Sequence, residues 1–316
     1  MSEIKNKKSK KILGPLILIS AAMIWGLSFV FQKESMDIIE MFTFNATRSL
    51  VGSAALLPVV FFTQKKQKKE LSSSTEPKKI LTKKEIRGIL IVGTVLCVAL
   101  NFQQQAFLYI ETGKIGFITA LYMIFVPIFG LFLKKRPSMI IWVSVVLGLC
   151  GMYLLTVGGK ANFKLGKGEL YALIGAVFFA LHIIAIDTVG AEIDSVKLSC
   201  GQFFVAGMIS LVGMFIFENP DIHAILQAAV PILYAGIMSS SVAFTFQIIG
   251  QKYTEPTLAS MFLCLESVFS VIFAYFLIPE QKLVPTEYIG CAIMFVAILL
   301  AQIPPKEKSA HKQVKA

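Results

Sequence analysis

The sequence is poor in charged residues, which make up 16% of its 316 residues, whereas a soluble domain typically carries about a quarter. Its extended polar stretches, residues 1–12, 64–87 and 304–316, are each too short to build a hydrophobic core. Both a soluble protein and a membrane protein with a soluble output domain are therefore disfavoured.

Motifs that supply catalysis or energy coupling are also missing. No Walker loop is present, so ATP-driven pumping by this chain alone is not expected. Each of the five cysteines falls in an apolar run without CxxC spacing, which indicates packing and neither a disulfide nor a metal site. The run Gly26-Leu27-Ser28-Phe29 lacks the second glycine of a serine-hydrolase elbow. We therefore predict no enzyme, no catalytic residue and no cofactor.

Apolar sequence is abundant, with 56% hydrophobic residues and a mean hydropathy of +0.73. A helix needs roughly 20 mostly apolar residues to cross a bilayer. Ten runs approach or reach that length, at 13–31, 42–62, 88–108, 115–133, 138–157, 168–187, 198–217, 228–250, 257–278 and 285–303. We predict an all-α integral membrane protein with ten transmembrane helices. Its predicted partners therefore include the lipid bilayer in which the helices are embedded.

The two halves of the chain resemble each other. A stretch from Gln105 to Met152 aligns with Gln247 to Met294 at a constant offset of 142 residues, and residues 16–33 align with 170–187 at an offset of 154. This predicts two five-helix repeats, 13–158 and 168–303. Because five is odd, the second repeat enters the membrane from the opposite side and is inverted.

The basic residues are distributed by side of the membrane. With the N-terminus inside, most of the 30 Lys and Arg residues fall in the N-terminal stretch 1–12, the loop 64–87, the short inner loops and the tail 304–316. The positive-inside rule then places both termini in the cytoplasm, across the cell membrane. The net charge of +11 is explained by this orientation, and no nucleic-acid partner is predicted, because no base-reading module is present.

Glu266 and Arg48 are charged residues that lie inside two of the predicted spans. Glu266 is about nine residues into the ninth run, near the bilayer centre. An acid there costs a few kcal/mol unless it meets a wet cavity or a partner, or stays protonated. It is our first candidate for binding or coupling, and a neutral structural acid is the alternative. Arg48 is predicted to contact an anion or to pair with Glu266, and snorkelling to the interface is its alternative.

Other polar and aromatic residues are weaker candidates. His182, Trp25 and Tyr122 could shape a pocket, and buried packing is the alternative for each of them. The third run ends in several amides, among them Gln104, and the eighth carries Gln247, so either cavity lining or interhelical hydrogen bonding is predicted. Pro127 could break the fourth helix beside the cavity. In the 142-residue register Ile124 corresponds to Glu266, and in the 154-residue register Gln202 corresponds to Arg48.

Three motifs resemble the EamA branch of the drug/metabolite transporter superfamily. The first helix reads Ala21-Ala22-Met23-Ile24-Trp25-Gly26, the second carries Arg48, and the ninth reads Leu265-Glu266-Ser267-Val268-Phe269 and closes with Pro279-Glu280. Ser267 stands where the family usually has proline, and Pro279 where it usually has glycine. The fourth helix ends in basic residues, which is similar to one subgroup of the family.

The resemblance implies a ten-helix, two-repeat carrier with a central cavity that typically exports amino acids or other small metabolites. We therefore predict a secondary transporter of a small molecule that works by alternating access, with proton coupling through Glu266 as a hypothesis. A passive facilitator or channel is the alternative function. A homo-oligomer is compatible with the sequence, which does not specify one.

Overall fold

A computed structural model of the chain describes residues 2–70, 81–135, 137–157, 166–277 and 284–303. The described part is helical throughout and contains no strand. Eight helices are long and apolar enough to cross a membrane: Ile12–Met36, Met41–Lys65, Lys83–Ala106, Thr112–Phe132, Lys167–Thr188, Ser195–Phe217, Ala229–Gln251 and Pro256–Phe273. Two shorter apolar helices, Met139–Leu155 and Pro285–Ala301, accompany them. The prediction of an all-α membrane protein is confirmed.

Several spans consist of more than one helical element. The elements in chain order are α1 (Ser2–Met36), α2 (Met41–Glu70), α3 (Lys83–Ala106), α4 (Thr112–Thr119), α5 (Tyr122–Phe132), α6 (Met139–Val157), α7 (Lys167–Thr188), α8 (Ser195–Phe217), α9 (Ile222–Gln227), α10 (Ala229–Leu233), a π-helix (Tyr234–Ala243), α11 (Phe244–Gln251), α12 (Pro256–Leu263), α13 (Leu265–Leu277) and α14 (Pro285–Ala301). Residue 158, the tail 304–316 and the Pro279-Glu280 motif lie outside the described residues.

The helix starts follow local sequence signals. Thr82 and Glu85 form a reciprocal capping box ahead of α3, and Asp194 accepts hydrogen bonds from the first backbone N–H groups of α8. Proline occupies the first turn of α12 and of α14, where its missing N–H costs nothing. These signals set where α3, α8, α12 and α14 begin.

The outer surface of the helix bundle is apolar. Phe61, Phe132 and Met139 are 63%, 81% and 76% exposed, and many other large hydrophobic residues are exposed along the spans. A soluble monomer rarely carries so much contiguous apolar surface, whereas lipid tails cover it without penalty. This surface supports a multi-pass membrane protein.

Glycines allow the closest helix contacts. Helices α6 and α14 pack so tightly that a Cβ atom added at Gly290 would lie 2.5 Å from the backbone nitrogen of Leu155 and 2.6 Å from the carbonyl oxygen of Gly151. A Cβ atom at Gly26 would lie 2.8 Å from the carbonyl oxygen of Glu266, so α1 and α13 approach with similar closeness. Without a hydrophobic drive between helices in lipid, such packing contributes much of their association.

The predicted 142-residue register is wrong by two residues in the fourth and ninth segments. Helix α4 spans Thr112–Thr119 and helix α12 spans Pro256–Leu263, which is an offset of 144. Glu111 and Glu255 immediately precede these helices and coincide at that offset. The 142-residue offset arose from chance identities between two apolar sequences. The 144-residue offset comes from the positions at which the two helices begin in the structure.

The corrected register changes which residues correspond. Tyr122, and not Ile124, becomes the counterpart of Glu266, and Gln103 becomes the counterpart of Gln247. The 154-residue offset is consistent with the first two segments of each half, since α2 begins 154 residues before α8. Arg48 therefore keeps Gln202 as its counterpart.

A corresponding helix is interrupted in each half, but the interruption is not at the predicted position. Pro127 lies inside α5, whereas the break lies six and seven residues earlier, at Leu121 and Ala120. There the chain changes to shorter-range bonds, such as Met123 N–H to the Ala120 carbonyl at 3.0 Å. The corresponding break in the second half is at Cys264. A proline within a membrane helix is tolerated because surrounding helices satisfy or shield the freed carbonyl.

We expect Gly290→Ala to destabilise the fold, because the new methyl group would overlap the backbone of α6. Overpacking of this kind costs about 1–3 kcal/mol. Thermal unfolding of purified protein in detergent measures it. Gly130→Ala is the matched control, since its Cβ would meet only the Lys135 side chain at 3.8 Å and both variants gain the same helix propensity. Equal melting temperatures for the two variants would contradict the close α6–α14 contact.

Candidate functional site

A narrow internal cavity lies between the two halves of the chain. Seven residues from each half line it, and five of the seven predicted site residues are among them: Trp25, Arg48, Tyr122, Gln247 and Glu266. The space open to the centres of water molecules is about 40 Å³, which is room for a few waters. The remaining two, Gln104 and His182, are not in the lining.

Glu266 is positioned by the break in the ninth segment. It lies in the first turn of α13, two residues after Cys264, and its side chain is 6% exposed. The Cys264 Sγ lies 3.7 Å from the Ala120 carbonyl oxygen, so the two helix breaks meet. The Glu266 Oε1 atom has no hydrogen-bond partner among the described residues. The carboxyl group is thus held at the cavity with an oxygen free for a ligand.

Arg48 brings a buried guanidinium to the same cavity. Its side chain is 1% exposed, its Nη1 donates to Gln32 Oε1 at 3.3 Å, and its guanidinium carbon lies 5.5 Å from the ring centre of Phe44. Its Nε has no partner, and no described carboxylate pairs with it, Glu266 included. A buried charge without a counter-ion is costly unless a ligand supplies one.

The amides of the third segment divide between two roles. Gln103 lines the cavity and donates to the hydroxyl of Thr119 at 3.2 Å, whereas Gln104 donates to the Gln32 carbonyl at 3.0 Å and to Ser35 Oγ at 3.3 Å. Gln104 therefore fastens α3 to α1. Gln103 was not among the candidate site residues chosen from the sequence. Its correspondence with Gln247 in the 144-residue register would have indicated it.

Aromatic rings form much of the cavity wall. Trp25 packs edge-on against Phe244 with ring centres 4.6 Å apart, and its Nε1 is buried without a partner among the described residues. Phe29 and Phe179 complete the apolar wall. Sequence analysis missed Phe244, because one phenylalanine among 26 carries no distinguishing signal.

His182 lies one layer behind the cavity. Its neighbour Ile183 lines the cavity, whereas the His182 ring packs against Phe244 at 5.8 Å and its Nε2 lies 3.0 Å from Gln202 Oε1. Both His182 and Gln202 are fully buried. The ring thus supports the wall of the cavity in this structure.

Ser239 is a further lining residue that sequence reasoning missed. It belongs to the π-helix Tyr234–Ala243, which packs against α2, and it lines the cavity. Within this segment Ser241 Oγ donates to the Gly52 carbonyl at 2.8 Å. π-Helical turns frequently occur at functional sites because they rotate side chains out of the regular register. The run Ser239-Ser240-Ser241 is the feature of the sequence that could have indicated a polar lining residue here.

A family model decides the identity of this fold. The model of the EamA-like transporter family matches residues 12–157 and again residues 166–302. The chain belongs to the EamA-like transporter family.

Related sequences match most of the chain. An uncharacterized transporter of Archaeoglobus fulgidus is 24% identical over 93% of this chain and 87% of its own length. The uncharacterized transporter YoaV of Bacillus subtilis is 25% identical over 84% of this chain and 88% of its own. A solved crystal structure of a protein with 18% identity superposes with a TM-score of 0.72 over 92% of this chain and 96% of its own, which shows the shared fold.

We expect Arg48→Gln to leave the folded protein at least as stable as the wild type. The change removes an uncompensated buried charge and copies Gln202, the natural counterpart, so the melting temperature should stay equal or rise by about 2–5 °C. Thermal unfolding in detergent without added solute measures this. Arg48→Lys, which keeps the charge, is the control. A large loss of stability in Arg48→Gln would show that the guanidinium is a structural group.

Proposed function

We propose that this EamA family member is a secondary transporter of small zwitterionic metabolites, amino acids among them, and that it works by alternating access. The observation that carries the proposal is the pair Arg48 and Glu266. Their side chains have opposite charge when ionised, line one cavity, and form no ion pair with each other.

A zwitterion satisfies both groups at once. Its carboxylate would accept hydrogen bonds from the Arg48 guanidinium, whose planar fork suits carboxylates, and its ammonium group would donate to Glu266. Trp25 and Phe244 would enclose the remaining apolar part. Since the cavity as it stands holds only a few waters, binding an amino acid requires side chains to move apart. Tyr122 and Gln247 would supply further polar contacts from opposite halves.

Mirrored helix contacts support two inverted repeats. A Cβ atom at Gly236 would lie 2.9 Å from the Arg48 carbonyl oxygen and 2.8 Å from Val51, and one at Gly93 would lie 2.9 Å from the Gln202 carbonyl oxygen and 2.7 Å from Val205. Arg48 with Gln202 and Val51 with Val205 are counterparts at the 154-residue offset. A two-fold relation between the halves explains why both contacts occur.

The cavity lining shows the same correspondence. Trp25 and Phe29 from the first segment face Phe179 and Ile183 from the sixth, at an offset of 154. Gln103 and Tyr122 correspond to Gln247 and Glu266 at an offset of 144. We propose that the two shorter apolar helices, α6 and α14, complete ten spans in a five-plus-five inverted arrangement.

Two further recesses are candidates for the access routes. One of about 510 Å³ is lined by residues that include Lys135, Asp187 and Lys252, and another of about 450 Å³ lies beside Glu218. Lys135 and Asp187 form an ion pair at the first recess. At the second, the Glu218 carboxylate accepts 2.7 Å hydrogen bonds from the backbone N–H groups of Phe42 and Thr43. In the proposed cycle, each of these contacts would keep the access route at its own recess closed while the other route is open.

We further propose residence in the cell membrane with both termini cytoplasmic, and transport outward. The orientation rests on the distribution of Lys and Arg along the sequence. The direction rests on the resemblance of the sequence to exporters of this superfamily. The curated relatives are themselves named only as uncharacterized transporters.

Expression of the wild type should enrich at least one amino acid or related zwitterion in the culture medium. Mass spectrometry of medium and cell extract, compared with an empty vector, measures the enrichment. Arg48→Gln should reduce it at least ten-fold through loss of the carboxylate contact, whereas Lys84→Gln, at an exposed ion pair with Glu192, is the matched control and should not. Accumulation inside the cells would reverse the proposed direction, and no change in either compartment would contradict transport.

Glu266→Gln should separate proton coupling from substrate exchange. In proteoliposomes we expect the wild type to accumulate the exported solute when a pH gradient is imposed, because a titratable group at the cavity can carry the proton. The amide variant should lose the gradient-driven component and keep measurable counterflow. Full pH-driven accumulation in Glu266→Gln would rule out the coupling role. Absence of accelerated counterflow in the wild type would favour the alternative, a passive facilitator or channel.

A further inference from the structure

Gln32 is a buried partner of the cavity arginine that does not itself line the cavity. Its Oε1 accepts a hydrogen bond from Arg48 Nη1 at 3.3 Å, and the residue is 5% exposed. Trp25 and Phe29 are the residues of α1 in the cavity lining, and Arg48 lines the cavity from α2. Through Arg48, Gln32 can therefore act on a ligand that it does not touch.

Several hydrogen bonds fix the orientation of Gln32. Its Nε2 donates to Ser28 Oγ at 3.4 Å, so that Oε1 is left to face Arg48. A guanidinium only donates, which makes the oxygen the correct end of the amide. The Gln32 backbone carbonyl accepts hydrogen bonds from Gln104 Nε2 at 3.0 Å and from Ser35 Oγ at 2.7 Å. Gln104 therefore supports the residue that holds Arg48, although it does not line the cavity.

The contact between Gln32 and Arg48 leaves the positive charge of the guanidinium uncompensated. An amide oxygen accepts the hydrogen bond without carrying a net charge. Glutamate at this position would have nearly the same shape and would form a buried ion pair with Arg48. A solute carboxylate would then have to displace a tethered one, which competes at a high effective concentration. Glutamine holds Arg48 without neutralising its charge.

The second half of the chain lacks this arrangement. At the 154-residue offset Arg48 corresponds to the neutral Gln202, and Gln32 corresponds to Ile186, which is 2% exposed. Gln202 interacts instead with His182, which lies one turn before Ile186 on α7. The amide at position 32 thus occurs in the half that carries the guanidinium, and an apolar residue takes its place in the half that does not.

We propose that Gln32 is a positioning residue that keeps Arg48 available to the carboxylate of the transported solute, and so sets the charge class of that solute. This inference rests on the proposed transport of zwitterions and makes it more specific. With an acid at position 32, Arg48 would be paired internally, and Glu266 would be left as the charged group of the cavity lining. Such a cavity would favour an amine without a carboxylate. Gln32→Glu is therefore expected to change the class of solute that binds.

The first test measures thermal unfolding of the full chain in detergent, with acetate as the probe. Acetate is small enough for a cavity that holds a few waters. Sodium acetate, compared with sodium chloride at the same ionic strength, should raise the wild-type melting temperature by about 2 °C. The rise should be absent in Gln32→Glu and in Arg48→Gln, because neither offers an unpaired guanidinium. Gln227→Glu, the same change as in Gln32→Glu but at an exposed position of α9, should respond as the wild type does.

Gln32→Met separates charge from packing, because it removes the hydrogen bond to Arg48 without adding an acid. It should keep the response, with the acetate concentration at half-saturation raised about three-fold. This variant also decides the role of Gln32 if Gln32→Glu does not fold. A wild-type response in Gln32→Glu, or an unchanged or abolished response in Gln32→Met, would overturn the inference. So would a response that is absent from the wild type or that persists in Arg48→Gln.

The second test measures ligand binding by calorimetry with matched pairs, leucine with isopentylamine and phenylalanine with phenethylamine. Each amine is the amino acid without its carboxylate. The ratio of the amine dissociation constant to that of the amino acid should fall by roughly ten-fold or more from the wild type to Gln32→Glu. It should not change in Gln227→Glu.

An unchanged ratio in Gln32→Glu would overturn the role of Gln32 and leave zwitterion transport standing. If neither amino acid binds to the wild type, the proposed transport of zwitterions fails, and the acetate measurement alone decides the role of Gln32.

Discussion

The structure depends on one constraint, which is that a bilayer core offers no hydrogen-bond partner to an interrupted helix. A break in a spanning helix is tolerated only where other protein segments cover it. The two corresponding breaks, at Ala120–Leu121 and at Cys264, touch each other through the Cys264 Sγ and the Ala120 carbonyl, and both of these residues are buried. Residues that flank the two breaks line the cavity.

The polar residues follow from the position of the breaks. Tyr122 begins α5 and Glu266 lies in the first turn of α13, so each break directs a polar side chain into the cavity. Arg48 adds the opposite charge from α2, whose close approach to the π-helix depends on Gly236 and Gly52. Packing at glycines and interruption of helices are therefore two parts of one arrangement that concentrates polar groups between the halves.

Departures from two-fold symmetry would confer chemical selectivity in the proposed transport cycle. A symmetric pair of repeats can exchange conformations, but a symmetric cavity could not distinguish the ends of a zwitterion. Glu266 opposite Tyr122, and Arg48 opposite Gln202, make the two halves different in charge. Phe244 lines the cavity where the first half has Leu100, so the apolar part of the lining differs between the halves as well.

The sequence by itself determined the helical membrane fold, because long apolar runs have few stable alternatives in lipid. It also singled out Glu266 and Arg48, since intramembrane charges are expensive and therefore conspicuous. Only the tertiary structure decided the register of the repeats, because apolar sequences align by chance at several offsets. It likewise placed Gln103, Phe244 and Ser239 at the cavity and His182 behind it. Whether a side chain faces the cavity depends on the helix breaks and on the π-helix, because each of them rotates the residues that follow about the helix axis. Neither leaves a clear periodic signal in the sequence.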